Sequence, residues 1–345
     1  MTSFLNKMRF IKSEIKVFYS EIRRFYKDFQ KKIDVLDLPA KRKSEIKKDY
    51  IKELIRHRYT FNEYYSQYEF TKLNKHERAE YISVSEMQRI YRRYGFPEIR
   101  EIFRDKAVFL KIFENFVNRR WLLWDGSSKN ELISMLNSFD CIIKPLTGTL
   151  GAGVKKVDKD SVSNIDKFIQ ENLSGGQYII EECISACPEI SEFHPSSLNT
   201  VRIVTFSKGP KSVVLGAFLR MGNNNRCIDN VHGGGVFAQI DVESGIVISD
   251  GIDTENNRYE RHPFSKKMIK GFKIPNWDKA KEMCVSASLS LPNIRFAGWD
   301  VAIRNDGVLE IIEGNHAPDF DPMQSPLKIG VRKKVFRTLK EIGII

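Results

Sequence analysis

The stretch GWDVAIRNDGVLEIIEGNHAP, residues 298–318, folds back on itself around Asp306-Gly307. Asp-Gly between alternating apolar residues is a strong hairpin signal, because a type I′ turn needs positive φ at both central positions. With that turn, cross-strand partners carry numbers that sum to 613, and Asp300 falls opposite Glu313. Opposed Cβ atoms of an antiparallel pair lie about 4.5–5.5 Å apart, and like charges there repel, so something positive is expected between them. Strand alternation puts Asn315 on the same face as Glu313. Two carboxylates and an amide oxygen are hard donors that suit Mg2+ shared with phosphate oxygens. A solvated sheet face with Lys or Arg neighbours gives the same pattern.

Outward from the hairpin, β-rich runs fill the chain from about residue 138: DCIIKPL, YIIEECI, TVRIVTFS, SVVLGAFLRM and GVFAQIDV. Two helical stretches interrupt them, SNIDKFIQENL and WDKAKEMCVSASLSL. Strands without regular strand-helix alternation predict an α+β fold rather than a doubly wound sheet. Before residue 120 the sequence is nearly free of Gly and reads as amphipathic helices over 3–30, 42–66, 75–94 and 106–119, with breaks at Leu38-Pro39 and Gly95-Phe96-Pro97.

The 345 residues carry a net charge of +12, most of it near the start. Residues 1–100 hold 24 Lys plus Arg against 14 Asp plus Glu, a balance of +10, and the rest hold 32 against 30. No apolar run approaches the roughly 20 residues that cross a bilayer, and the N-terminus lacks an apolar signal core; a cytoplasmic protein is the expectation. The five cysteines contain no C-x-x-C, which argues against a disulfide framework or a zinc knuckle. Neither a helix-turn-helix nor an aromatic-basic strand motif accompanies the basic segment, so nucleic acid is not expected as a partner. Non-enzymatic binding of an anion or nucleic acid through residues 1–100 stays as a rival reading.

Two more stretches carry chemistry. In FDCIIKPLTGTLGAGVKKV, residues 139–157, an apolar strand delivers Lys144 to a loop with Gly148, Gly151 and Gly153. Such glycines let backbone N–H groups approach phosphate oxygens, and the Lys adds a point charge. Val154 after Gly153 excludes a Walker loop. A hairpin loop with no ligand is the plain alternative. In YIIEECISACPEI, residues 178–190, a strand ends in Glu181 and Glu182 with Glu189 downstream, a layout that offers backbone groups to an adenine edge and a carboxylate to ribose. Arg202 lies inside the apolar strand TVRIVTF, where a charge must bind an anion or pair with an acid.

The order and spacing of these residues resemble the ATP-grasp superfamily of ligases. The runs EECISACPEISEFHPSSLNTVRIVTF, DNVHGGGVFAQID, HPFS and GWDVAI...DGVLEIIEGN resemble its sugar-transfer-associated branch, over roughly residues 100–335. The resemblance implies two α+β lobes gripping ATP: an N-lobe over 101–190 and a C-lobe over 191–345, preceded by a basic helical region over 1–100. It implies Lys106 and Lys144 as phosphate-binding lysines and the loop Gly148–Gly153 as a flap over the phosphates. Glu181, Glu182 and Ile184 would form the adenine hinge, and Glu189 would take the ribose. Asp300, Glu313 and Asn315 would hold magnesium, as two ions. Asn199, Arg202, Arg220 and His232 are the catalytic candidates, the arginines for the γ-phosphate and the substrate carboxylate. One departure is that several relatives carry an Arg two residues before the first metal acid, where this chain has Gly298.

The implied reaction is carboxylate-amine ligation. A carboxylate attacks the γ-phosphate, an acyl phosphate forms, and an amine displaces phosphate. A uronic acid or nucleotide sugar is the implied carboxylate partner, in cell-surface polysaccharide synthesis. The basic N-terminal helices fit an anionic acceptor such as a nucleotide sugar or a lipid-linked glycan, with peripheral contact at the inner face of a membrane; a solvated helical face gives the same charge pattern and is slightly favoured. A phosphotransferase acting on a sugar hydroxyl would use the same ATP site.

Overall fold

The computed structural model describes residues 2–146, 153–223 and 234–345, with side chains from residue 11 onward. The chain divides into two compact units, Met1–Arg93 with Asp319–Phe336, and Tyr94–Pro318 with Arg337–Ile345. Residues 319–336 are grouped with the helical unit. No helix among the described residues is long and apolar enough to cross a membrane.

The first unit is built on helices Thr2–Asp34, Ala40–His57 and Val84–Tyr94. Pro39 occupies the N-cap of the second, in line with the break expected there. That helix was expected to run to residue 66 but ends at His57, because Arg58 turns left-handed at φ 57. A buried ion pair with Glu21 at 3.0 Å anchors Arg58, a long-range contact that no glycine announces. The expected helix over 75–94 also divides. A capping box of Asn74 and Glu77 starts a single turn, Lys75–Arg78, and the chain restarts at Val84, whose N–H donates to Glu63 at 2.7 Å. The core between these elements is aromatic, with Phe29, Tyr50, Tyr64, Tyr68 and Phe70 fully buried. Edge-to-face pairs such as Tyr59 on Phe70, with centroids 4.8 Å apart, add about 0.5–1.5 kcal/mol beyond burial.

The second unit holds two antiparallel sheets. One takes β1 (Trp121–Trp124), β2 (Cys141–Pro145), β3 (Lys155–Val157) and β4 (Tyr178–Glu182) in the order β1-β4-β2-β3. Sequence reading missed β1, whose four residues WLLW are too short to show alternation. The other takes β5 (Thr200–Lys208), β6 (Lys211–Met221), β7 (Val236–Ile240), β8 (Gly251–Ile252), β9 (Arg258–Tyr259), β10 (Phe296–Ile303) and β11 (Leu309–Asn315) in the order β11-β10-β5-β6-β7-β8-β9. The two interrupting helices appear as Ile165–Asn172 and Trp277–Leu289. The α+β expectation holds, and one face of the larger sheet is the main core, around Trp299, Phe113, Val201 and Leu219.

The hairpin reaches its expected pairing by an unexpected route. The turn is a three-residue loop, closed by Arg304 N–H donating to Val308 O at 2.9 Å, with positive φ at Gly307 (79°) but not at Asp306. Near the turn Ile303 faces Leu309 and Val301 faces Ile311, one residue out of the expected register. An irregularity after Asp300, with Ile312 as the extra residue, then restores Asp300 opposite Glu313 and Gly298 opposite Asn315. Such a bulge re-aims side chains next to it, here the acids.

Candidate active site

Charged residues form a row across four strands of the larger sheet. Glu313 on β11 faces Asp300 on β10, Asp300 faces Arg202 on β5, and Arg220 on β6 lies one diagonal further, opposite Thr200. Asp300 is 2 % exposed. Arg202 binds it through Nε and through Nη2 at 2.7 Å, and Arg220 donates Nη1 to its Oδ2. Burial works against the Asp300 charge, but the two guanidinium groups outweigh it and hold the carboxyl well below its ordinary range. The positive charge expected beside the acid pair is therefore supplied, at least for Asp300, by the protein.

Glu313 is left with the deficit. Solvent reaches its side chain, yet the surrounding protein, and then Asp300, push its carboxyl up to about 6. Asn315 Oδ1 accepts the Ala317 N–H at 3.0 Å. The spacing of Glu313 and Asn315 is fixed by packing at Gly314, where an added Cβ would meet Phe103 at 2.5 Å and Phe109 at 2.7 Å. At Gly298, a Cβ would sit 3.1 Å from Arg202 Cδ and 3.3 Å from its Nη1. Arg202 thus fills the space that a side chain at 298 would take.

The smaller sheet brings the lysines. Ile142 faces Glu181 and Lys144 faces Ile179, so Lys144 and Glu181 share a face two residues apart and pair. Lys106, at the start of the helix Lys106–Ile112 capped by Asp105, donates Nζ to the carbonyls of Pro145 and Leu146 at 3.0 and 3.2 Å. Burial lowers the Lys106 ammonium, Glu313 raises it and Lys144 lowers it further, so it lies within electrostatic reach of both sheets. Gly153 has φ +75 beside Pro145, where the chain re-enters β3. Gly148, Gly151 and His232 fall outside the described residues.

Some expected residues take other places. Glu181 is 3 % exposed and its side chain points into an ion-pair cluster with Arg119 and Lys144. The N–H groups of Glu182 and Cys183 are bonded to Arg120 O and Asp140 O at 2.9 and 2.7 Å. Ile184 enters no backbone hydrogen bond among the described residues. Glu189 is exposed on the single turn Pro188–Ser191. Asn199, fully buried, donates Nδ2 to Ile190 O and His194 O at 3.0 and 3.2 Å and accepts from Ser197 and from Gly222 N–H. With those partners Asn199 ties the end of β6 to the segment 190–197.

Sequence reading missed Arg119, which joins the sheets. Its Nε and Nη2 donate to Glu181 of β4 at 3.0 and 2.6 Å, and its Nη1 donates to Glu310 of β11 at 2.7 Å. The remaining donors reach the carbonyls of Ile311 and Ile312, both at 3.0 Å, on the residues that form the bulge. Arg119 and Lys144 together overcome burial to hold Glu181 down at about 2. The only signal in the sequence was Glu310 inside an apolar strand, which demands a partner without naming it.

A profile of the sugar-transfer associated ATP-grasp family matches residues 88–341. No curated protein matches the chain at a significant level. Among solved structures, the ATP-grasp ligase PsnB complexed with minimal precursor, Mg and ADP is similar at 14% identity and TM-score 0.44, over 82% of this chain and 75% of that one. N5-carboxyaminoimidazole ribonucleotide synthetase from Thermotoga maritima gives 12% and 0.41, over 74% and 55% of the two chains. L-amino acid ligase from Bacillus licheniformis gives 13% and 0.41, over 70% and 50%, so this chain spans only about half of those last two proteins. With the profile covering most of its length, the chain belongs to the sugar-transfer-associated ATP-grasp family.

Proposed function

We propose that the protein is an ATP-dependent carboxylate-amine ligase that works through an acyl phosphate. The observation that carries this reading is Lys106, which donates to the carbonyls of Pro145 and Leu146 next to Lys144 on one sheet and lies within electrostatic reach of Glu313 on the other. A triphosphate laid along that line would meet two lysines, then two arginines. The donors beside it fit magnesium: the raised Glu313 carboxyl marks an unmet need for positive charge, and Asn315 supplies an amide oxygen. Asp300 joins them only when Arg202 or Arg220 yields one of its oxygens. Magnesium, when bound, would neutralise phosphate charge.

In this reading Lys106 and Lys144 hold phosphate oxygens, the backbone near Ile184 reads adenine, and Glu189 holds ribose. Arg202 and Arg220 orient the substrate carboxylate and the γ-phosphate and disperse the charge that develops on transfer. The carboxylate oxygen bonds to the γ-phosphorus as the bond to ADP breaks. The amine nitrogen then bonds to the acyl carbon, phosphate leaves, and the amine loses a proton. We assign the carboxylate to a uronic acid or nucleotide sugar of a cell-surface polysaccharide, handled in the cytoplasm. A phosphate-release screen of uronic acids and nucleotide sugars against amines, with products weighed by mass spectrometry, tests this. Amine-dependent phosphate release with loss of water between the partners is expected; ADP release with a phosphorylated sugar would replace the ligase by a kinase.

A further inference from the structure

The helix Thr2–Asp34 is used by the fold over only part of its length. Its C-terminal half buries Phe25, Phe29 and Ile33 in the aromatic core. Toward the N-terminus, Ile11, Ile15 and Tyr19 are 42 %, 52 % and 69 % exposed. At four-residue spacing they form one slowly winding stripe, because each step of four advances about 40° on a 3.6-residue helix. Lys12, Lys16 and Arg23, all exposed, line the adjoining flank. The two acids among residues 11–23 point elsewhere and are already neutralised, Glu14 by Arg92 at 2.8 Å and Glu21 by Arg58 at 3.0 Å. The stripe is therefore apolar with an uncompensated basic margin.

We propose that this segment is a membrane-surface anchor. It lies along an anionic bilayer with Ile11, Ile15 and Tyr19 toward the acyl chains and Lys12, Lys16 and Arg23 on the lipid phosphates. An interfacial helix needs both an apolar face and basic neighbours, and each basic group near an anionic surface strengthens binding. Charge decides against a second copy of the chain as the occupant, since pairing two such stripes would bring the basic margins together. The inference stands apart from the ligase reading, because none of these residues belongs to the ATP-binding unit.

The test is co-sedimentation of the full chain with vesicles of phosphatidylglycerol and phosphatidylcholine, and with vesicles of phosphatidylcholine alone. Binding to the anionic vesicles only, weakening as salt rises, is expected. The pair Ile15→Asp with Tyr19→Asp, and separately Lys12→Glu with Lys16→Glu, should each weaken it more than about tenfold while circular dichroism stays unchanged. Wild-type protein that ignores anionic vesicles, or variants that bind as tightly as wild type, would overturn the proposal. So would a wild-type dimer on gel filtration that Ile15→Asp with Tyr19→Asp converts to monomer without any vesicle binding.

Discussion

The helical unit and the ATP-binding unit each enclose a pair of acids, and they neutralise them differently. In the helical unit Glu63 is 1 % exposed and accepts backbone N–H groups from Thr60 and Val84, both at 2.7 Å. Burial, with Asp321 adding to it, pushes Glu63 up to about 8. Asp321 accepts from the Tyr68 hydroxyl and from Gln67, and burial pushes it up to about 6. All of these partners are neutral, so a proton is the remaining route to neutrality. In the ATP-binding unit Asp300 has two arginines and Glu181 and Glu310 share Arg119, so these three keep their charge, while Glu313 beside Asp300 is pushed up to about 6. An acid neutralised by a proton offers no cation to a ligand, whereas the arginines on Asp300 are charges that a bound anion could share.

The sharpest attempt to break this contrast is Arg119→Met, which strands Glu181 and Glu310. Removing one partner of a buried ion pair costs about 3–5 kcal/mol, to be read as a lower urea midpoint; an unchanged midpoint would mean that the cluster is held by packing. Next is Glu313→Gln, expected to cut ATP turnover at least about a hundredfold while thermal unfolding stays near wild type. Near-normal turnover would remove the acid pair from the site. Lys144→Ala should weaken nucleotide binding about tenfold, the loss of one charge-assisted contact, and calorimetry with ADP would show it. The smallest effects are in pH, and their directions differ between the units. Glu313 must be ionised to serve a cation, so affinity for nucleotide with magnesium should fall as pH drops through about 6. Glu63 has a folded value above its ordinary 4.5, so its stabilising contribution is full below that and is lost as pH rises through about 8. Unfolding of the helical unit should therefore be easier at pH 9 than at pH 6, followed by amide exchange in residues 60–84.

Local signals carried a large part of the site. The Asp-Gly turn and strand alternation placed Asp300 and Glu313 together, although two deviations cancelled, the three-residue loop and the bulge at Ile312. Arg202 was legible as a charge in an apolar strand, and the acid that pairs with it is the acid of the site itself. The partner of the Glu181 side chain was not legible, because a strand-ending acid looks the same whether it faces solvent or a buried arginine. Helix ends at His57 and Val84 were missed for a related reason: the contacts that set them, Arg58 to Glu21 and Glu63 to Val84 N–H, are made by polar side chains across loops.

What the sequence determined on its own was periodic and local: which runs are strands or helices, where glycines must stand, and which acids share a strand face. The tertiary structure alone decided who neutralises whom. Asp300 meets Arg202 and Arg220 from 98 and 80 residues away, and Arg119 meets Glu181 and Glu310 from 62 and 191. Coulombic partners are chosen by distance in space and by the dielectric around them, and a linear order of residues fixes neither.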